Sequence, residues 1–150
     1  MKNLTICLLL LIAWPTLQAD DQTDINNASQ AAAKFINEYV STTHGSQKGV
    51  VEWLKKRRDV FPVFKERIAK LYLDALKRDP ELGYEGDAIL AGREELGTKY
   101  GVVDTFYGRE HITVTLQAVK PAGCQHKVEV VMMKDDDGSW KVQTSGDVPM

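Results

Sequence analysis

The chain predicts an α+β fold in which helices come first and pack on an antiparallel sheet. Between residues 28 and 78 apolar side chains recur every three or four positions, and from Tyr100 onward they recur every second position. Between the two regimes lie Asp79-Pro80 and then Gly83, Gly86, Gly92 and Gly97, a composition that interrupts regular structure. Helices followed by strands, rather than alternating with them, make separate layers instead of a parallel βαβ sheet.

Ahead of the helices stands a different kind of segment. Lys2 precedes an apolar run from Leu4 to Trp14, followed by Pro15, Leu17-Gln18-Ala19 and Asp20-Asp21. A charged start, a short apolar stretch and a small residue before an acidic one describe a secretory signal peptide over residues 1–19, and hence a periplasmic or secreted product. The run is about eleven residues, against the roughly twenty that a membrane-spanning helix needs, so no stable anchor is expected after cleavage. Leu17 stands where a small residue is preferred, which leaves retention of the signal as the alternative. Lipid anchoring is disfavoured because Cys7 lies inside the apolar run and Ala122-Gly123-Cys124 lies far downstream.

Cleavage after Ala19 leaves 131 of 150 residues, one domain's length. Without Lys2 the 19 basic residues become 18 against 21 acidic ones, a net charge of −3 that argues against nucleic acid or an anionic membrane as partner. Of the two cysteines only Cys124 remains after cleavage, so no internal disulfide forms and packing must hold the fold. Cys124 reads as a tolerated thiol in or beside a turn.

Within the mature chain, residues 20–27 read as a flexible acidic leader and 28–150 as the folded domain. Asn26 or Asn27 is expected to cap a first helix, whose stripe is Ala32, Phe35, Ile36, Tyr39 and Val40 and which exits near His44-Gly45. Gly49 opens a second segment with Val50, Val51, Trp53 and Leu54, closed by Lys55-Lys56-Arg57-Arg58, read as a solvated helix end. The third helix buries Phe61, Phe64, Ile68, Leu71, Ala75 and Leu76, with Glu66–Lys70 and Asp74–Arg78 as i,i+4 pairs, and Asp79-Pro80 stops it. Residues 81–97 read as an exposed irregular connection. Strands are expected at Val102–Tyr107, Ile112–Ala118, Val128–Met132 and Trp140–Thr144, the last two joined by a polar turn over Asp135–Gly138. Trp140 and Val142 should share the inward face.

The Asp87-Ala88-Ile89-Leu90 loop after an amphipathic helix pair, and the closing Asp137-Gly138-Ser139-Trp140-Lys141-Val142 strand, resemble the DUF3828 group of bacterial exported proteins and, through it, the NTF2-like, cystatin-like superfamily. The resemblance spans about Ala28 to Val148. It implies a curved antiparallel sheet wrapped around a helix as a cone with an internal pocket, a scaffold that hosts isomerases, dehydratases, immunity proteins and plain binding domains.

Three functions follow from that resemblance. The first is non-catalytic binding of a small ligand or protein partner. A pocket would be lined by Trp53, Phe106, Tyr107, Met132 and Trp140, residues that a closed core would equally contain, whereas a protein partner would use the loop over residues 81–97, which holds Tyr84 and Asp87. The second is a toxin-immunity or inhibitor role. The third is an isomerase or hydratase, with Asp87 or Asp104 as base and His111, Tyr39 or Tyr84 as hydrogen-bond donor. Against each catalytic role stands a plainer one: a loop cap for Asp87, a strand-face residue for His111, a core aromatic for Tyr39. No cofactor motif is present, and His44, His111 and His126 lack paired metal-ligand spacing.

Overall fold

The structure is a computed structural model that describes residues 19–92 and 96–148. Residues 1–18, all but the last residue of the expected signal peptide, lie outside the described residues. Three helices, α1 (Ala19–Ser41), α2 (Gln47–Lys55) and α3 (Pro62–Arg78), precede four strands, β1 (Lys99–Tyr107), β2 (Ile112–Lys120), β3 (Lys127–Lys134) and β4 (Trp140–Ser145). The strands form one open antiparallel sheet in the order β1-β2-β3-β4, with the helices packed against it. The α+β arrangement read from the periodicity is therefore the observed one.

Helix α1 corrects the expected flexible leader. It starts at Ala19, so residues 20–27 are helical and neither Asn26 nor Asn27 is a cap. Acidic Asp20 and Asp21 in the first turn complement the positive helix end. Tertiary partners then hold these turns in place: Lys134 pairs with Asp24 at 2.7 Å, and the Tyr107 hydroxyl donates to Asp21 Oδ1 at 3.3 Å. The stripe of Ala28, Ala32, Phe35, Ile36 and Tyr39 is buried on the sheet.

Helix α2 starts two residues before Gly49, because the Ser46 hydroxyl accepts the Gly49 N–H at 3.2 Å and caps it. Helix α3 opens with proline at its first position and buries Phe64, Ile68, Tyr72 and Ala75. Leu71 and Leu76 are only half-buried, and Tyr72 lies deeper than either. The expected Asp74–Arg78 side-chain pair is replaced: Lys77 takes the Asp74 carboxylate at 3.1 Å, while Arg78 Nε donates to the Asp74 carbonyl at 3.4 Å.

In the sheet, Ile112, Val114, Leu116 and Ala118 of β2 and Val128, Val130 and Met132 of β3 face the helices, so the period of two marks the inward face. The outer edge of β4 is covered by the chain between α2 and α3. Val142 N–H donates to the Asp59 carbonyl at 2.9 Å and Phe61 N–H to the Val142 carbonyl at 3.0 Å, a short parallel bridge through Val60.

The connection over 81–97 was expected to be exposed, yet its centre is part of the core. Ala88, Ile89 and Leu90 are buried and enter the space between the helices and the sheet, where the cone resemblance implied a pocket. The end of β4 and the chain that follows it close over them. Ser145 Oγ donates to the Ile89 carbonyl at 2.7 Å and Asp147 N–H to the Ala88 carbonyl at 3.1 Å. Between these two residues Gly146 has φ +63°, and a Cβ there would stand 2.3 Å from the Ala88 carbonyl oxygen. Gly146→Ala therefore combines a disfavoured backbone region with a collision, and is expected to destabilise the domain by about 2 kcal/mol or more. Chemical denaturation with an unchanged midpoint would contradict this packing.

Candidate functional site

The residues with the richest polar chemistry meet where α1, α3 and the 87–92 loop converge. Asp87 Oδ1 accepts the N–H groups of Ile89 and Leu90 at 2.9 and 3.0 Å, and Oδ2 accepts the Tyr39 hydroxyl at 2.7 Å. The Tyr72 hydroxyl accepts the Ala88 N–H at 3.1 Å. Two bonds between Asp87 and Gly92, at 2.7 and 3.2 Å, close the loop. Around them, His44 stacks on Tyr39 with ring centroids 4.7 Å apart, Trp53 packs at 5.5 Å, and Tyr84 covers Tyr72 at 5.7 Å. Gln47 holds the Tyr84 backbone from both sides, donating to its carbonyl at 2.7 Å and accepting its N–H at 3.0 Å.

Of the sequence-derived candidates, Tyr39, Tyr84, Asp87 and Trp53 thus share one cluster. Burial is the main cause that pushes the Tyr39 phenol well above the ordinary tyrosine range, with the Asp87 carboxylate adding to it; Tyr72 is raised by the same two causes. Asp87 spends its oxygens on one side chain and two amides of its own loop, the pattern of a turn cap. The arrangement fixes the loop rather than presenting a carboxylate to a cavity.

The other candidates lie elsewhere. Asp104 is exposed on β1, where it accepts the Thr105 N–H at 2.8 Å. His111, Tyr107 and Trp140 border a surface cleft of about 270 Å³ near the β1–β2 hairpin. Phe106 is 66% exposed, Met132 is core, and Trp53 packs on Phe35 at 5.6 Å. The five residues expected to line one pocket therefore do not surround a common cavity. Trp140 is only half-buried: it packs against the core while Lys134 lies over its ring at 5.4 Å, so it is not the fully inward anchor that its alternation with Val142 suggested.

Arg57 also departs from expectation. Lys55, Lys56 and Arg58 are exposed, but the Arg57 side chain is 15% exposed. Its guanidinium makes a two-pronged pair with Asp59, a second pair with Glu38, and lies over the Trp53 ring at 4.8 Å. It joins α1, the end of α2 and the strand-like linker. Sequence reading missed Arg57, Tyr72 and Asn37, whose side-chain amide bonds both backbone groups of Tyr100 at 2.9 and 2.8 Å. Asp59, two residues after Arg57, was the one local signal.

Among the described residues no group of three His, Cys, Asp or Glu is arranged to hold a metal, and no helix is long and apolar enough to cross a membrane. His126 instead bonds the Tyr100 hydroxyl through Nδ1 at 2.8 Å. Comparison with protein-family models, curated proteins and solved structures finds no match to this chain.

Buried phenols with raised pKa values link stability to alkaline pH. In the unfolded chain tyrosines ionise near pH 10, whereas native Tyr39 and Tyr72 keep their protons above that. Their contribution is complete below pH 10 and is lost progressively above it, at about 1.4 kcal/mol per pH unit for each phenol. Tyr39→Phe should reduce that slope by one phenol's share and lower neutral-pH stability by about 1–3 kcal/mol, because Asp87 loses a buried partner. Urea unfolding between pH 8 and 11.5 measures both; parallel curves for the two proteins would contradict the linkage.

Proposed function

We propose that this protein is an exported, non-catalytic NTF2-like binding domain whose partner is a protein engaged on the outer edge of β1. The helix-then-sheet order supports the resemblance on which the superfamily part of this reading rests. One observation carries the partner surface: β1 is an edge strand whose apolar residues are turned out to solvent. Val102, Val103, Phe106 and Tyr107 are exposed on it, with Val119 of β2 beside them.

An exposed apolar edge is a template for another strand, and proteins normally blunt such edges with charge, proline or a cover. The blunting here is partial: Asn37 occupies the backbone of Tyr100, the register shifts between Val102 and Asp104, and Asp104, the one charge between Val102 and Tyr107, takes the Thr105 N–H at 2.8 Å. Strand addition would supply main-chain hydrogen bonds for affinity and seat alternate partner side chains against Val103 and Phe106 for specificity. Binding at the edge also accords with an interior filled by Ala88, Ile89 and Leu90.

A photoreactive amino acid placed at Val103 or at Phe106, in the native host, tests this reading. Both positions should give one discrete adduct, which Val102→Pro abolishes, because Val102 lies two residues from Tyr100 and turns its N–H to the same outer edge, where proline removes the donor. Adducts no stronger than those from Glu66, on exposed α3 surface, would overturn it.

A further inference from the structure

A second surface, remote from the β1 edge, has a surplus of hydrogen-bond donors. Between the α2–α3 turn and the β3–β4 hairpin lies an open cleft of about 560 Å³, lined among others by Arg58, Lys65, Ser139, Trp140 and Lys141. Its carboxylates are already used: Asp59 by Arg57, and Asp137 by the Ser139 N–H and hydroxyl at 2.8 and 2.6 Å. Lys141 pairs with Asp135. Its donors are not used up. Arg58 is exposed and has no partner among the described residues, and Lys65 makes one bond, to the Arg57 carbonyl, leaving two ammonium hydrogens.

Two further features of the same cleft show the same imbalance. The indole N–H of Trp140 is buried and has no hydrogen-bond partner among the described residues. Helix α3 begins here at Pro62 with Phe61 as its cap, so no side chain caps its first amides and no acid stands in its first turn. Buried donors without acceptors are uncommon, and a helix start bordered by cations favours an incoming anion. Burial, together with Lys141 and Arg57, lowers the Lys65 pKa although Asp59 opposes it, so the ammonium is crowded by other positive charge.

We propose that this cleft binds a tetrahedral oxyanion, a phosphate or phosphate monoester, with Arg58 and Lys65 as its charged ligands, Lys141 beside them and Trp140 as part of its wall. A planar carboxylate offers two oxygens; a phosphoryl group offers three or more, which suits donors arriving from the α2–α3 turn, from α3 and from β4. The proposal is independent of the partner assigned to the β1 edge.

The test is a ¹⁵N NMR titration of the purified protein with inorganic phosphate and with glycerol phosphate, at constant ionic strength set by chloride. The Trp140 indole signal and the Val63 and Ser139 amides should shift together and saturate. Arg58→Gln and Lys65→Gln should each weaken binding about tenfold, the worth of one charge-assisted contact. Lys70→Gln, on the α3 groove away from this cleft, should leave it unchanged. Co-sedimentation with phosphatidylglycerol vesicles separates the two sources of the group. Saturable glycerol phosphate binding without vesicle binding assigns a soluble monoester, whereas vesicle binding lost in the same variants assigns a lipid headgroup. Equal shifts in chloride alone, or affinity indifferent to both variants, overturns the site.

Discussion

The structure depends on how a short loop is held inside it. Residues 87–90 leave the surface, cross the space between helices and sheet, and must satisfy buried backbone groups without a strand or helix to do it. The partners come from inside and outside the loop: Tyr72 of α3 for the Ala88 N–H, Asp87 itself for the N–H groups of Ile89 and Leu90, Ser145 of β4 for the Ile89 carbonyl, and Asp147 for the Ala88 carbonyl. Tyr39 then ties Asp87 to α1. The loop is thereby the point at which the first helix, the third helix and the last strand constrain one another.

That constraint decides what the interior can offer. Helices packed on an open sheet enclose volume, and the volume must be filled by side chains, water or ligand. Here Ile89 and Leu90, with Phe35, Phe64 and Tyr72, do the filling. The Asp87–Tyr39 contact has the geometry an acid–base pair would need, but both of the Asp87 oxygens are taken up in ordering the loop. On the outside, the two sheet edges differ. The β4 edge is covered by Asp59–Phe61, whereas on the β1 edge Asn37 takes the backbone of Tyr100 and Asp104 the Thr105 N–H.

Much of this was legible in the residues. The helix stripes and the strand alternation follow from burying one face of each element, and the observed strands extend the expected ones by only a few residues. What was not legible has a common cause. Residues 20–27 look like a polar leader because the reasons they are helical, Lys134 and Tyr107, lie more than 80 positions away. The 87–90 loop looks exposed because glycines flank it, while its acceptors and donors come from α1, α3 and β4. Arg57 reads as one cation in a run of four, and only the fold brings Glu38 and Trp53 to it. Local sequence signals element type well, and partner identity across the chain poorly.

Arg57 also explains why charge on this molecule is distributed as it is. A guanidinium with little exposure needs carboxylates beside it, and Glu38 and Asp59 supply them from α1 and from the linker. The same linker pairs with β4, so the ion pairs fix the distance between α2 and the sheet edge. Having taken up Asp59, Arg57 leaves its neighbours without a carboxylate in direct contact: Arg58 projects into solvent, and Lys65 reaches the Arg57 carbonyl, with Asp59 acting on it only from a distance. The donor-rich cleft beside Trp140 is thus a consequence of how the fold neutralises Arg57. Removing that arginine would release Asp59 toward Lys65, which would supply the cleft with the acceptor it now lacks.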